Sequence, residues 1–97
     1  MFICQQAEKD GLIKVSFTYS AEAGYTVSLA GVFNDWDPAR LVMQYSETQK
    51  AYCCSIELAP GNYEYKLVVD GEWLLDESNP NFVTNDFGTL NSVAAIK

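Results

Sequence analysis

Apolar and polar residues alternate with a period of two along most of this chain, a pattern that suits half-buried strands and not helices. Ile13, Val15, Phe17 and Tyr19 are interleaved with Lys14, Ser16 and Thr18. Val27 and Leu29 alternate with Thr26 and Ser28 in a second strand running into Gly31. Leu41 to Tyr45 reads as a short strand, and Tyr52, Cys54, Ile56 and Leu58 share one face of the next. Tyr63, Tyr65, Leu67 and Val69 share a face of the longest strand, and Glu72 to Leu75 forms its return. The segment from Asp76 to Phe87 reads as a loop, and Leu90 to Ile96 as a closing strand. Turn chemistry punctuates these runs at Glu22-Ala-Gly24, Asn34-Asp-Trp-Asp-Pro38, Pro60-Gly61 and Asp70-Gly71. About six or seven short strands without a helical period predict an all-β fold, an antiparallel immunoglobulin-like β-sandwich. No Cys–Trp–Cys framework braces it. At 97 residues the expectation is one domain, residues 1–97, with a modest core.

The Asp70-Gly71 pair does more than end a strand. A two-residue hairpin loop pairs Val69 with Glu72, Val68 with Trp73, Leu67 with Leu74 and Lys66 with Leu75. Tyr65, Leu67, Val69 and Leu74 then occupy the apolar, core-facing side, while Lys66, Val68 and Trp73 occupy the other. Trp73 stands diagonal to Lys66, within reach of a long side chain. An indole is a flat apolar plate with one N–H donor, and an ammonium carries rotatable donors, so the pair suits a polyol such as a sugar ring. Trp36 lies in a loop between Asp35 and Asp37. Loops of a sandwich cluster at its ends and edges, which allows Trp36 to approach Trp73.

Charge narrows the partners. A net charge of −7 repels phosphate backbones and anionic lipid heads, so neither nucleic acid nor a membrane surface is an expected partner. A neutral polyol meets no such repulsion. The cysteines are Cys4, Cys53 and Cys54; neighbours in a strand face opposite ways, and no CxxC spacing occurs. Free thiols in a reducing cytoplasm are therefore expected. Glu8, Lys9 and Asp10 interrupt the opening apolar stretch, so neither a signal peptide nor a transmembrane span is expected.

Three stretches, taken in order, carry a resemblance. They are Val27-Ser-Leu-Ala-Gly-Val-Phe-Asn-Asp-Trp36, Leu58-Ala-Pro-Gly-Asn-Tyr-Glu-Tyr-Lys-Leu-Val-Val-Asp-Gly-Glu-Trp73 and Phe87-Gly-Thr-Leu-Asn91. Together the chain from about residue 12 to 97 resembles the glycogen-binding domain of AMP-activated protein kinase β subunits. That domain belongs to carbohydrate-binding module family 48, related to the early-set domains of isoamylases and branching enzymes. The resemblance implies binding of α-1,4-linked glucans: glycogen, starch, maltooligosaccharides and cyclic dextrins. It implies that Trp36 and Trp73 are the stacking tryptophans, and that Lys66 is the lysine that hydrogen-bonds sugar hydroxyls. Thr89 and Asn91 match polar contacts beside them. Phe87 stands where the kinase domain has a leucine, and its flat ring either adds stacking or crowds a tightly curved ligand. A glucan-metabolising enzyme or a kinase-type protein is the implied protein partner.

Catalysis has little to stand on. The chain has no histidine, the commonest base and metal ligand. A glycosidase needs paired carboxylates across a cleft, and Asp35, Asp37, Asp70, Glu72, Asp76 and Glu77 read instead as solvated turn residues. No cofactor and no metal site are expected, since the loop carboxylates lack a calcium-loop spacing. The competing reading is an early-set domain that keeps its tryptophans but docks on another protein without sugar affinity. Two indoles opening on one surface favour the sugar; an indole buried beneath a loop favours the protein.

Overall fold

In the computed structural model, which describes residues 2–9 and 11–96, with side chains at position 4 and from 11 to 96, the alternating runs become two antiparallel sheets. Among the described residues the strands are β1 (Phe2–Lys9), β2 (Leu12–Ser20), β3 (Val27–Gly31), β4 (Gln44–Ser46), β5 (Ala51–Leu58), β6 (Gly61–Val69), β7 (Glu72–Leu74), β8 (Phe82–Thr84) and β9 (Leu90–Ile96). One sheet has the order β1-β2-β5-β4 and the other β3-β6-β9-β8, with β7 also paired to β6. The antiparallel, immunoglobulin-like β-sandwich expected from the alternation is thus the observed fold.

Register explains why the sheets bury one face each. Val15 lies opposite Ile56, Phe17 opposite Cys54 and Tyr19 opposite Tyr52, so the apolar series of β2 and β5 stand side by side. From the other sheet, Leu29 lies opposite Leu67. Val15, Phe17, Leu29, Tyr65 and Leu67 are each at most 2% exposed and form the centre of the core. The Phe17 and Tyr65 rings meet edge-on with centroids 5.2 Å apart, joining the two sheets. Burying one such side chain stabilises the fold by about 1.5–3 kcal/mol.

Four expectations are revised. The segment from Asp76 to Phe87 is not all loop, because Phe82–Thr84 pairs with β9 as β8. A three-residue edge strand is too short for its alternation to stand out from turn residues. The β1 strand was not anticipated, since the Gln5-Gln6-Ala7 stretch carries no apolar alternation. The stretch from Leu41 to Tyr45 is divided between the sheets: Val42 bridges Ser28 of β3, whereas Gln44–Ser46 pairs with β5. Last, the return strand of the hairpin ends at Leu74, not Leu75.

That crossing segment also completes β3. The amide of Leu29 donates to the Leu41 carbonyl at 3.0 Å, and the amide of Met43 donates to Val27 at 2.8 Å. Flanked on both sides, β3 is buried throughout, and Ser28 and Ala30 are covered along with Val27 and Leu29.

A buried polar cluster fixes the stretch between β7 and β8. The Tyr65 hydroxyl donates to Asp76 Oδ2 at 2.7 Å, and Asn79 Nδ2 donates to the Tyr65 oxygen at 3.1 Å and to the Val93 carbonyl at 2.9 Å. The Asp76 amide donates to Ser92 Oγ at 2.8 Å. Unsatisfied, each of these buried groups would cost about 1–3 kcal/mol. Satisfied, they hold the chain against β9 and set where β8 begins.

Candidate functional site

The hairpin forms as its turn residues dictate. Asp70 and Gly71 both have positive φ, 50° and 83°, the conformation of a two-residue type I′ loop. The Asp70 amide donates to the Thr26 carbonyl and its carboxylate accepts from the Thr26 amide, both at 2.8 Å, tying the tip to the start of β3. Leu67 pairs with Leu74, Val68 with Trp73 and Val69 with Glu72. Tyr65 and Leu67 point into the core, with Val69 and Leu74 packed against it. Trp73 stands on the outer face, 43% exposed, and Lys66 shares that face.

The turn after β3 brings Trp36 to the same face. Gly31 opens it because a Cβ there would lie 2.6 Å from the Glu64 carbonyl oxygen and 2.8 Å from the Tyr65 Cβ, leaving room for glycine alone. Asn34 then staples the turn: its Oδ1 accepts from the Gly31 amide at 3.0 Å, and its Nδ2 donates to the Leu29 carbonyl at 2.9 Å. Asp35 and Trp36 both adopt left-handed backbone, at φ 56° and 59°. For a bulky residue such as Trp that conformation is an outlier, held here by the Trp36 amide donating to the Gly31 carbonyl at 2.9 Å. The chain reverses at this point and leaves Trp36 half-buried on the outer face.

The third wall is the β8–β9 hairpin, whose loop runs from Asn85 to Thr89. Its centre is Asn85. Oδ1 accepts from the amides of Phe87, at 2.9 Å, and Thr89, at 3.1 Å. Nδ2 donates to Thr89 Oγ1 at 2.7 Å and to Asn91 Oδ1 at 3.0 Å. Lys66 Nζ also donates to Thr89 Oγ1, at 3.0 Å. Phe87, at the loop tip, is 91% exposed.

Trp36, Lys66, Trp73, Phe87, Thr89 and Asn91, the six residues singled out from the sequence, all line one open hollow of about 680 Å³. Glu64, Asn85 and Asp86 line it as well and were missed. Glu64 carried a readable signal, because it lies two residues before Lys66 on the same strand and so shares its face. Asn85 carried only the turn chemistry of Asn-Asp-Phe-Gly. Asn91 is 5% exposed, and its amide is engaged at both ends.

The carboxylates weighed as a catalytic pair are dispersed. Asp35 and Asp37 face Arg40 at 3.4 Å and 3.6 Å, and Asp70 is bound to Thr26. Asp76 is buried in its cluster away from the hollow. Burial pushes its carboxyl up, but the hydrogen bonds it accepts, from the Tyr65 and Ser78 hydroxyls among others, hold it below its ordinary range. Glu72 and Glu77 are exposed. The described residues contain no group of three or more His, Cys, Asp or Glu placed to hold a metal ion. No helix among them is long and apolar enough to cross a membrane. Cys4, Cys53 and Cys54 are all free thiols.

Two indoles, a phenyl ring and a rail of amide, hydroxyl, ammonium and carboxylate groups thus meet on the outer face of one sheet of the β-sandwich. The chain belongs to the family described as the glycogen recognition site of AMP-activated protein kinase, whose model matches residues 13–97. It is 35% identical over 74 residues to the 5'-AMP-activated protein kinase subunit beta-1 of Rattus norvegicus, covering 76% of this chain and 26% of that protein. The Sus scrofa beta-1 subunit is 34% identical over 76% of this chain and 57% of its own length. The Mus musculus beta-2 subunit is 31% identical over 79% of this chain and 27% of its own. The chain thus spans about a quarter of the length of the rat and mouse subunits.

Proposed function

We propose that this chain is a non-catalytic module that binds α-1,4-linked glucans, stacking glucose rings on Trp36 and Trp73 while Lys66 and Thr89 hydrogen-bond their hydroxyls. The observation that carries this reading is that both indoles open on one hollow with Lys66 beside them. A sugar ring offers an apolar face and a polar rim, and the hollow offers plates flanked by polar groups. Phe87, exposed at a loop tip, extends the platform as a third ring. The reading as a sugar-free protein-docking domain has less support, since neither indole is enclosed beneath a loop.

In this account the whole of residues 1–97 acts as a single binding unit in the cytoplasm, without cofactor, and brings a kinase-type or glucan-metabolising partner to polysaccharide. Glycogen, starch and maltooligosaccharides share the same repeating linkage and are the proposed ligands. The absence of histidine and the dispersal of the carboxylates support binding without turnover. The test is retention on immobilised glycogen, with release by soluble maltoheptaose and no shorter sugars after prolonged incubation. Passage through the column unretarded would contradict the reading, as would accumulation of shorter sugars.

A further inference from the structure

We infer that Glu64 is the hydrogen-bond acceptor of the glucan site and makes it selective for uncharged over phosphorylated glucan. The inference rests on the glucan-binding reading and follows from counting which polar groups in the hollow are still free. Backbone amides can only donate, which fixes the direction of the bonds they make. The Phe87 and Thr89 amides must donate, so the Asn85 atom facing them is its oxygen. Its nitrogen therefore faces Thr89 Oγ1 and Asn91 Oδ1, which leaves Asn91 Nδ2 to donate to Glu64 Oε1 at 3.0 Å. Every hydrogen-bonding position of Asn85 is used.

Thr84 and Asp86 line the exposed side of the hollow with a hydroxyl and a carboxylate that nothing among the described residues fixes in place, whereas what the ordered network leaves free beside the indoles is donor. Thr89 Oγ1 accepts from both Lys66 and Asn85, so its lone pairs are occupied and its hydroxyl hydrogen is what it offers. Lys66 uses one N–H on Thr89 and has no acceptor to give. Asn91 is buried. A sugar hydroxyl, however, both accepts and donates, and donors alone leave its hydrogen without a partner. Glu64 fills that gap. Among the described residues its carboxylate has a single partner, Asn91 on Oε1, and Oε2 is free on a side chain already anchored at its other oxygen. An acceptor held in place before the ligand arrives loses little freedom on binding. Asp86, the other carboxylate at the hollow, lies on the exposed loop and has no such anchor.

The same group sets charge selectivity. The hollow is lined by one cation, Lys66, and two carboxylates, Glu64 and Asp86, so a phosphate ester entering it meets net repulsion.

The test measures binding of maltoheptaose and of a maltooligosaccharide phosphorylated at a glucose C6 to the wild-type chain, Glu64→Gln and Glu57→Gln. Glutamine keeps an amide oxygen for Asn91 but turns an N–H toward the ligand. Glu64→Gln is expected to bind maltoheptaose roughly 3- to 10-fold more weakly, the effect of one lost hydrogen bond. It should also narrow the gap between the neutral and phosphorylated ligands, while Glu57→Gln, the same change at an exposed position of β5 on the other sheet, keeps wild-type affinity for both. Wild-type binding with Glu64→Gln unchanged on both ligands overturns the assignment of Glu64 alone. No wild-type binding of maltoheptaose overturns the glucan site and this inference together. A wild-type chain that prefers the phosphorylated ligand overturns the selectivity directly, whatever the variants do.

Discussion

The Lys66 ammonium donates to the Thr89 hydroxyl at 3.0 Å, joining the middle of β6 to the loop before β9. The contact holds the lysine toward the hollow, where it otherwise has several rotamers to lose on meeting a ligand. Lys66→Ala and Thr89→Val should therefore each lower maltoheptaose affinity, by about 1–2 kcal/mol. Because the two groups act as a unit, the double variant should lose less than the sum of the single losses. A double-mutant cycle by titration calorimetry checks this, and strict additivity would mean that the contact is idle in binding.

Trp36→Ala and Trp73→Ala should each weaken binding by about 1–3 kcal/mol, as expected of anchoring aromatics. Trp73 is 43% exposed and contributes little to the core, so its variant should keep the wild-type far-ultraviolet circular dichroism spectrum. Trp36 is half-buried in a strained turn, and its variant should stay folded with a lower Tm. Unfolding of the Trp73 variant at 25 °C would place that indole in the core instead.

Leu67→Ala tests the opposite face of the same strand. Leu67 is 2% exposed between Leu29 and Leu74, and truncation should cost about 2–5 kcal/mol of stability. Urea unfolding reads the loss directly, and a change below about 1 kcal/mol would contradict the assignment of core and outer faces.

Much of this was legible because period two and a two-residue turn leave few choices. Once Asp70 and Gly71 close the hairpin, the faces of Leu67 and Trp73 follow from the pleat, and the observed pairing of Val68 with Trp73 is the one that the turn length dictates. The part that stayed hidden is held by side chains acting over long sequence distances. The Asn85, Asn91 and Glu64 chain of hydrogen bonds joins two hairpins, and no local pattern announces which amide faces which. The same holds for β8, whose order depends on Asp76 and Asn79 reaching Tyr65 and on Asn79 reaching Val93, not on its own alternation.

Acid should loosen that cluster. The Asp76 carboxyl is held below the ordinary carboxylate value of 3.8 in the folded chain. A depressed folded-state value means that its contribution to stability is complete above the unfolded value, about 3.9, and is lost as pH falls through the folded one. Urea unfolding at a series of pH values from neutral to strongly acidic should show this loss in the wild-type chain. Asp76→Asn should be less stable at neutral pH and should lose less on acidification. Parallel pH profiles for the two proteins would remove Asp76 from the account.

Stacking of glucose rings on Trp36 and Trp73 has a direct optical reading, because these are the chain's two tryptophans. Indole emission, excited at the red edge where the six tyrosines do not absorb, therefore reports on the proposed platform. Titration with maltoheptaose should shift and change the intensity of the indole emission along a saturable curve. The expected Kd lies between about 10 μM and 1 mM, or roughly −7 to −4 kcal/mol. The curve should change little with added salt, since the ligand is neutral. Emission that stays constant at ligand concentrations far above that range, in a chain that circular dichroism shows to be folded, would contradict the account.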